Sequence, residues 1–493
     1  MDVSELAAYL GLAILLYYLL IELTKPREGV QKWASWAFVL GMVLFMGYYL
    51  WRRSTQQNKR GVTQEEFSDD EDDSNTEEDN HESYIPTDYI TVGKEFSMLN
   101  EKKSSSGELT YSDFKEVYLT KAFLDKFTSS VKLSLSLKRK RLQEIRRRYA
   151  TDLNILQRGE KPKRGIASVL KDLNRHDESK SLEDTIEKLT ELVEEAKGME
   201  KLVNVEMVRR NLVSAVTDRN NGIDSLVGLD SVKDFLAKKL YTFAENPRIF
   251  YTSFQNIRLY GPAGIGKTKA AQVIGHVFAS SGILLRNHVQ LTTASEFTTA
   301  YVNESSKKTR KLLMSNLESV VFIDEAYGMT PPPSLGDMGR DHGHEAITEL
   351  VNFTDKMMGI SVIIVAGYED EMEERFMKAN QGIPSRFPMK ILLHSYTSDE
   401  LTQILIKSLI SKSPDLKITD ENANYIYSLV EHVNRHKKEA FMYQGRDMLN
   451  LSSHLSEAIC SSYGRSWDTS SEEMIMTGFN SFLATKNCSI IES

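Results

Sequence analysis

Eight residues near the middle of the chain, Gly261-Pro262-Ala263-Gly264-Ile265-Gly266-Lys267-Thr268, constrain its fold more than any other feature. They match G-x-x-x-x-G-K-[ST] at every fixed position, a pattern that works only between a strand and a helix. Asn256–Tyr260 supplies a short strand, and Val273, Ile274, Val277 and Phe278 then recur at helical spacing to form one buried face. The glycines let backbone N–H groups close around phosphates, and the positive end of the following helix favours the same anion. In that arrangement Lys267 reaches the β- and γ-phosphates, while the Thr268 hydroxyl coordinates Mg²⁺.

A second element completes the pattern. Val320-Val321-Phe322-Ile323 is a wholly apolar strand that ends in Asp324-Glu325. Carboxylates at the end of a buried strand need a cation or donors. Asp324 is placed to hold Mg²⁺, directly or through water, and Glu325 to orient and deprotonate an attacking water. Gly261–Thr268 and Val320–Glu325 together therefore read as an ATP site. Val362–Ala366 and Ile391–Leu393 are further strand candidates, and a helix carrying Ala346, Ile347, Leu350, Val351 and Met358 on one face precedes the first of them. This alternation predicts an α/β fold with a parallel sheet covered by helices on both sides. Amphipathic helices over Ser398–Ile410 and Asn422–Val433 suit a small helical lid.

The chain has 493 residues, which favours two or three folded units. Its two cysteines, Cys460 and Cys488, give no disulfide framework and no metal-ligand spacing, which fits a reducing compartment. The formal net charge of −8 is unevenly spread. Leu6–Ile21 and Trp33–Trp51 carry no charge, and the second is flanked by aromatics and closed by Arg52 and Arg53. They predict two N-terminal transmembrane helices, a hairpin that leaves both termini on the ATP-containing, cytosolic side. From Glu65 to Glu82 the chain is almost entirely acidic or polar and reads as a disordered tether. Leu137–Tyr149 (LKRKRLQEIRRRY) is basic and helical; a solvated face, a contact with anionic lipid and a nucleic-acid patch all remain open for it. A nucleic-acid partner is the weaker expectation, because no interleaved aromatic platform accompanies the charge.

Several motifs together resemble the CbbX/CfxQ-like branch of the AAA+ ATPases. They are VGLDSVK (Val227–Lys233), the GPAGIGKT loop, FIDEAY (Phe322–Tyr327), HEAITELV (His344–Val351), VAGYEDEM (Val365–Met372) and GIPSRF (Gly382–Phe387), and the likeness runs from about Leu226 to Leu455. The resemblance implies ATP and Mg²⁺ as cofactors and a ring, expected to be a homo-hexamer, that threads or remodels a protein substrate. It further implies that Arg386 is an arginine finger acting on a neighbouring subunit and that Arg446, in Gln444-Gly445-Arg446-Asp447, is a second phosphate sensor. Tyr368 falls where a first sensor stands, Leu226 and Val227 line the adenine pocket, and Tyr301 belongs to a pore loop gripping the threaded chain. Asn303 stands where the family usually has glycine, and GPAGIGKT replaces the GNPGTGKT of close relatives without touching a phosphate-binding position.

The expected organisation is a membrane hairpin over 1–53, an acidic linker over 54–88 and a mainly helical middle region over 89–221. A large α/β ATPase domain over 222–395 and a helical lid with a tail over 396–493 follow. The function expected is a membrane-anchored ATPase that remodels or threads protein. A membrane scaffold using ATP as an assembly switch with little turnover is the alternative, and a nucleic-acid translocase a third.

Overall fold

In the computed structural model the described residues are 109–158, 166–299, 304–330, 340–413, 416, 418–460, 472–489 and 491. The membrane hairpin expected from Leu6–Ile21 and Trp33–Trp51 is corrected. Both stretches lie outside the described residues, and among the described residues no helix is long and apolar enough to cross a membrane. The two longest helices, with 38 and 37 residues, have the length to span but carry charge throughout. The described residues therefore support neither the two transmembrane helices nor a multi-pass membrane location.

The centre is a five-stranded sheet in the order β2-β3-β4-β1-β5, parallel throughout. Its strands are β1 (Ile257–Tyr260), β2 (Val289–Thr293), β3 (Val320–Asp324), β4 (Val362–Gly367) and β5 (Met389–Leu392). Every residue of β4 is buried, as are all but the last of β3, because helices cover both faces. The register sets Ile257 beside Ile364 and Tyr260 beside Gly367, so the loop leaving β1 emerges next to the end of β4. Pairing of Val320 with Val362 and Thr293 with Asp324 brings the acidic end of β3 to that same edge of the sheet. Ligands of open parallel sheets bind at this carboxyl edge, where the strand order reverses.

The described residues up to Thr217 form α1 (Tyr111–Val117), α2 (Lys121–Arg158), α3 (Ile166–Leu202) and α4 (Val205–Thr217). The first begins at Thr110, whose side chain and that of Asp113 cap each other's backbone N–H, and the fourth at Asn204, which accepts from Met207 N at 2.8 Å. These helices share one hydrophobic core with the sheet and with α5 (Asp230–Glu245) and α6 (Lys267–Ser280). A file of rings runs through that core from Phe114 to Phe123, Phe127, Phe243, Phe250 and Phe278, with successive centroids 5.3 to 6.5 Å apart. The basic stretch of α2 is largely engaged within the chain. Lys138 forms a fully buried ion pair with Glu318, and Arg139 meets Glu200 at 3.2 Å. Arg141 and Arg148 both bind Glu144, while Lys140, Arg146 and Arg147 face solvent.

Two helices cover the sheet beyond β2: α7 (Glu304–Ser315) and α8 (Arg340–Lys356). A second, smaller core joins α9 (Ser398–Lys412), α10 (Asp420–His436), α11 (Gly445–Cys460) and α12 (Glu472–Thr485) around Leu405, Val430, Leu451 and Phe479. Thr397 and Glu400 form a capping box at the start of α9, immediately after the chain leaves the sheet.

Candidate functional site

Gly264 and Gly266 hold φ at +76° and +90°, values that a residue with a Cβ adopts only under strain. They curl the loop after β1 so that Gly266 caps α6. Gly261 still belongs to the sheet, its N–H reaching the carbonyl of Gly367 at 3.2 Å. Ile265 is fully buried and anchors the loop from beneath, while Ala263, Gly264, Gly266, Lys267 and Thr268 line a cavity of about 810 Å³. That is ample for a nucleotide.

The Lys267 ammonium donates to the carbonyls of Gly261 at 2.9 Å and Pro262 at 3.0 Å, and stands 5.4 Å from the centre of the Tyr368 ring. Burial pulls its pKa below the ordinary lysine value, Asp324 and Glu325 push it back up, and Arg446 lowers it again. The amine thus lies within electrostatic reach of both acidic residues and of the lid arginine. Asp324 ends β3, with Oδ1 accepting from the Glu325 N–H at 3.1 Å. Its carboxylate and the Thr268 hydroxyl face the same cavity, a hard-oxygen pair suited to Mg²⁺ with the remaining positions left for phosphate and water.

Glu325 itself is left-handed, at φ 48° and ψ 46°. Such a conformation costs a non-glycine residue roughly 1–3 kcal/mol, and it turns the side chain out of the strand direction into the cavity. The loop beyond it is braced. Gly328 N–H donates to the Glu325 carbonyl at 2.7 Å, and the Arg375 guanidinium donates to the carbonyls of Tyr327, at 3.0 Å, and of Thr330. Arg375 also lies over the Tyr327 ring and pairs with Glu371 at 2.7 Å.

The lid closes the opposite wall. Arg446, second residue of α11, lines the cavity, and the next residue, Asp447, is fully buried. Asp447 accepts from Tyr443 N–H at 2.6 Å and pairs with Lys486 at 2.7 Å, which fixes where α11 begins. The approach to the phosphate loop is close: a Cβ on Gly264 would stand 1.9 Å from the Tyr443 carbonyl oxygen. Tyr396 spans the junction, its hydroxyl donating to the Ile265 carbonyl at 2.9 Å and its backbone N–H to Gln444 Oε1 at 3.1 Å. Leu226 and Val227 form a further wall, facing Ile404 and Leu449 of the lid.

The cavity therefore gathers Lys267, Thr268, Asp324, Glu325, Arg446, Leu226, Val227 and Tyr368. Arg386 does not line it and instead binds Asp355 on α8. Tyr301 lies outside the described residues. Sequence reasoning missed Tyr396 and Arg375. The capping box that begins at Thr397 marks Tyr396 as the last residue before the lid, a usable signal; Arg375 acts on carbonyls distant in sequence, and no local pattern reveals it.

Residues 257–393 match the ATPase family associated with various cellular activities (AAA). A "Protein CfxQ homolog" of Galdieria sulphuraria is 30% identical over 275 residues, covering 53% of this chain and 84% of that one. Its namesake in Pyropia yezoensis is 30% identical over 217 residues, covering 44% of this chain and 67% of the relative. The chloroplastic "Ribulose bisphosphate carboxylase/oxygenase activase" of Cyanidioschyzon merolae is 28% identical over 237 residues, covering 46% and 75%. With most of the first relative's length matched, and with the phosphate loop and acidic strand end facing one cavity, the chain is an ATP hydrolase of the CbbX/CfxQ-like branch of the AAA+ family.

Proposed function

We propose that this ATPase works as a ring, six subunits being the expected number, and uses ATP turnover to remodel or thread a protein substrate. The observation that carries the reading is the division of the catalytic groups. Lys267, Thr268, Asp324, Glu325 and Arg446 share one cavity, and Arg386 stands outside it. A cavity that Arg386 of its own chain does not line suits completion by a neighbour, since a guanidinium delivered in trans is worth about 10³–10⁵ in rate in GTPase systems. In this reading Glu325 takes the proton of the attacking water, and Lys267 and Arg446 hold the phosphates in line. Asp324 and Thr268 hold Mg²⁺, which supplies charge neutralisation on the phosphate oxygens when bound.

Glu325→Gln tests turnover in the full chain. ATP binding is retained and hydrolysis falls by about 10²–10⁴-fold, the usual contribution of a positioned general base. Unchanged hydrolysis would sink the assignment. Activity per chain that rises with protein concentration supports the ring, and constant activity per chain over a wide range speaks against it. The assembly-switch reading separates on the same data, because it demands wild-type turnover too slow to be lowered by the substitution.

A further inference from the structure

Arg386 carries five guanidinium hydrogens, and the structure accounts for four. Nε donates to Asp355 Oδ1 at 3.1 Å and Nη2 to Asp355 Oδ2 at 2.8 Å. Nη1 donates to the Gly382 carbonyl at 3.2 Å and to Ser385 Oγ at 3.0 Å. The guanidinium also stacks near the Phe254 ring, 5.8 Å from its centre. Gly382 and Ser385 belong to the same short turn as Arg386, so Asp355 is the group that fixes the side chain against a different element, α8.

The pair is not a core contact: the Arg386 side chain is 25% exposed and that of Asp355 43%. Ion pairs at such positions add little to stability. What a two-pronged contact adds is direction, because the planar fork can meet both carboxylate oxygens in one orientation only. One Nη2 hydrogen stays outside these contacts. A fork with four donors occupied and one edge open is set to receive a single further acceptor oxygen without first being ordered.

We propose that Asp355 is the positioning residue of the arginine finger: it holds Arg386 in the orientation in which its open edge meets the γ-phosphate of a neighbouring subunit. The inference rests on the reading that Arg386 acts in trans. Asp355 lies near the end of α8, the helix that follows β3 and its acidic end in the chain.

The test is a double-mutant cycle on ATP turnover by the assembled full chain. Arg386→Ala lowers kcat by about 10³-fold or more. Asp355→Ala lowers kcat by about tenfold or more, the cost of a mis-aimed catalytic group, and leaves the KM for ATP within about twofold. Asp355→Glu, which keeps a two-pronged carboxylate, restores part of the loss. In the Arg386→Ala background Asp355→Ala has no further effect on kcat, whereas a merely structural residue would add its own loss. Asp355→Ala placed in Glu325→Gln chains also slows wild-type chains mixed with them. If Asp355→Ala leaves kcat unchanged or raises it while Arg386→Ala abolishes it, the carboxylate does not aim the finger and this inference falls alone. If Arg386→Ala leaves turnover unchanged, the in-trans reading falls first.

Discussion

Lys138→Met, far from the ATP site, is predicted to be among the most damaging single substitutions in the chain. Lys138 on α2 and Glu318, two residues before β3, pair with both side chains wholly excluded from solvent. The ammonium also donates to the Ile283 carbonyl at 2.7 Å, and Glu318 Oε2 accepts from Leu285 N–H at 3.1 Å, while Oε1 has no partner among the described residues. Removing one member of such a pair costs about 3–5 kcal/mol, because a buried charge is left uncompensated. At roughly 2–4 °C per kcal/mol the midpoint of thermal unfolding falls by about 6–20 °C. The loss has a pH signature. Burial raises the Glu318 carboxyl above its ordinary value and Lys138 opposes the rise; with the lysine gone the folded-state value climbs. A carboxyl whose folded pKa is raised binds its proton more tightly in the folded state. Its contribution is complete below the unfolded value and is lost as pH rises through the folded one. The variant therefore falls further below wild type in mildly alkaline than in mildly acidic buffer, by calorimetry or fluorescence melts. The double variant Lys138→Met/Glu318→Leu regains most of the loss, since an apolar pair of similar volume replaces a buried ion pair at little cost. A drop smaller than about 1 kcal/mol, the scale of an exposed pair, would refute the reasoning. So would a drop that is equal in the two buffers.

Two further outcomes concern the closed lid. Gly264→Ala places a Cβ against the Tyr443 carbonyl at a position with φ +76°, so the lid must retreat. ATP binding weakens by about tenfold or more, read with a fluorescent nucleotide, while a left-handed alanine itself costs stability only about 1–2 kcal/mol; unchanged affinity would contradict the close approach. Tyr396→Phe deletes the hydroxyl bond to Ile265, a net effect of about 1 kcal/mol. It raises the calorimetric dissociation constant for ATP about fivefold and shifts the melting temperature little, and the reverse pattern would reassign Tyr396 to the fold alone.

The ATP site is legible in sequence to the extent that it is local. Gly261–Thr268 announces itself because the loop needs its glycines at fixed offsets, and Asp324-Glu325 because two carboxylates end an apolar run. Contacts made across the fold leave no such trace. Arg375 binds carbonyls nearly fifty residues away in the chain, |i−j| being 48 for Tyr327. Lys138 reads as one more charge in a basic run, although its partner is separated by 180 residues. The same run invites surface readings that its pairings within the chain diminish. Ser181-Leu182-Glu183-Asp184 has the pattern of a helix start yet lies inside α3, which already runs from Ile166. The membrane expectation shows a different gap: apolar length and flanking aromatics describe a segment's composition, and among the described residues no helix is long and apolar enough to cross a membrane.

The file of aromatic rings from Phe114 to Phe278 decides where this protein can be cut. The family match begins at Ile257, which suggests a portable cassette with a dispensable leader. The five rings of the file before that point, Phe114, Phe123, Phe127, Phe243 and Phe250, are almost wholly buried. Each aromatic side chain covers about 150–250 Å², so a fragment begun at the family boundary would lose α5 and Phe250 with the other rings and lay bare Phe278 on α6. The helices upstream of the sheet are in that sense a graft that has taken: related ATPase cores could not be exchanged beneath them without carrying a matching aromatic seat.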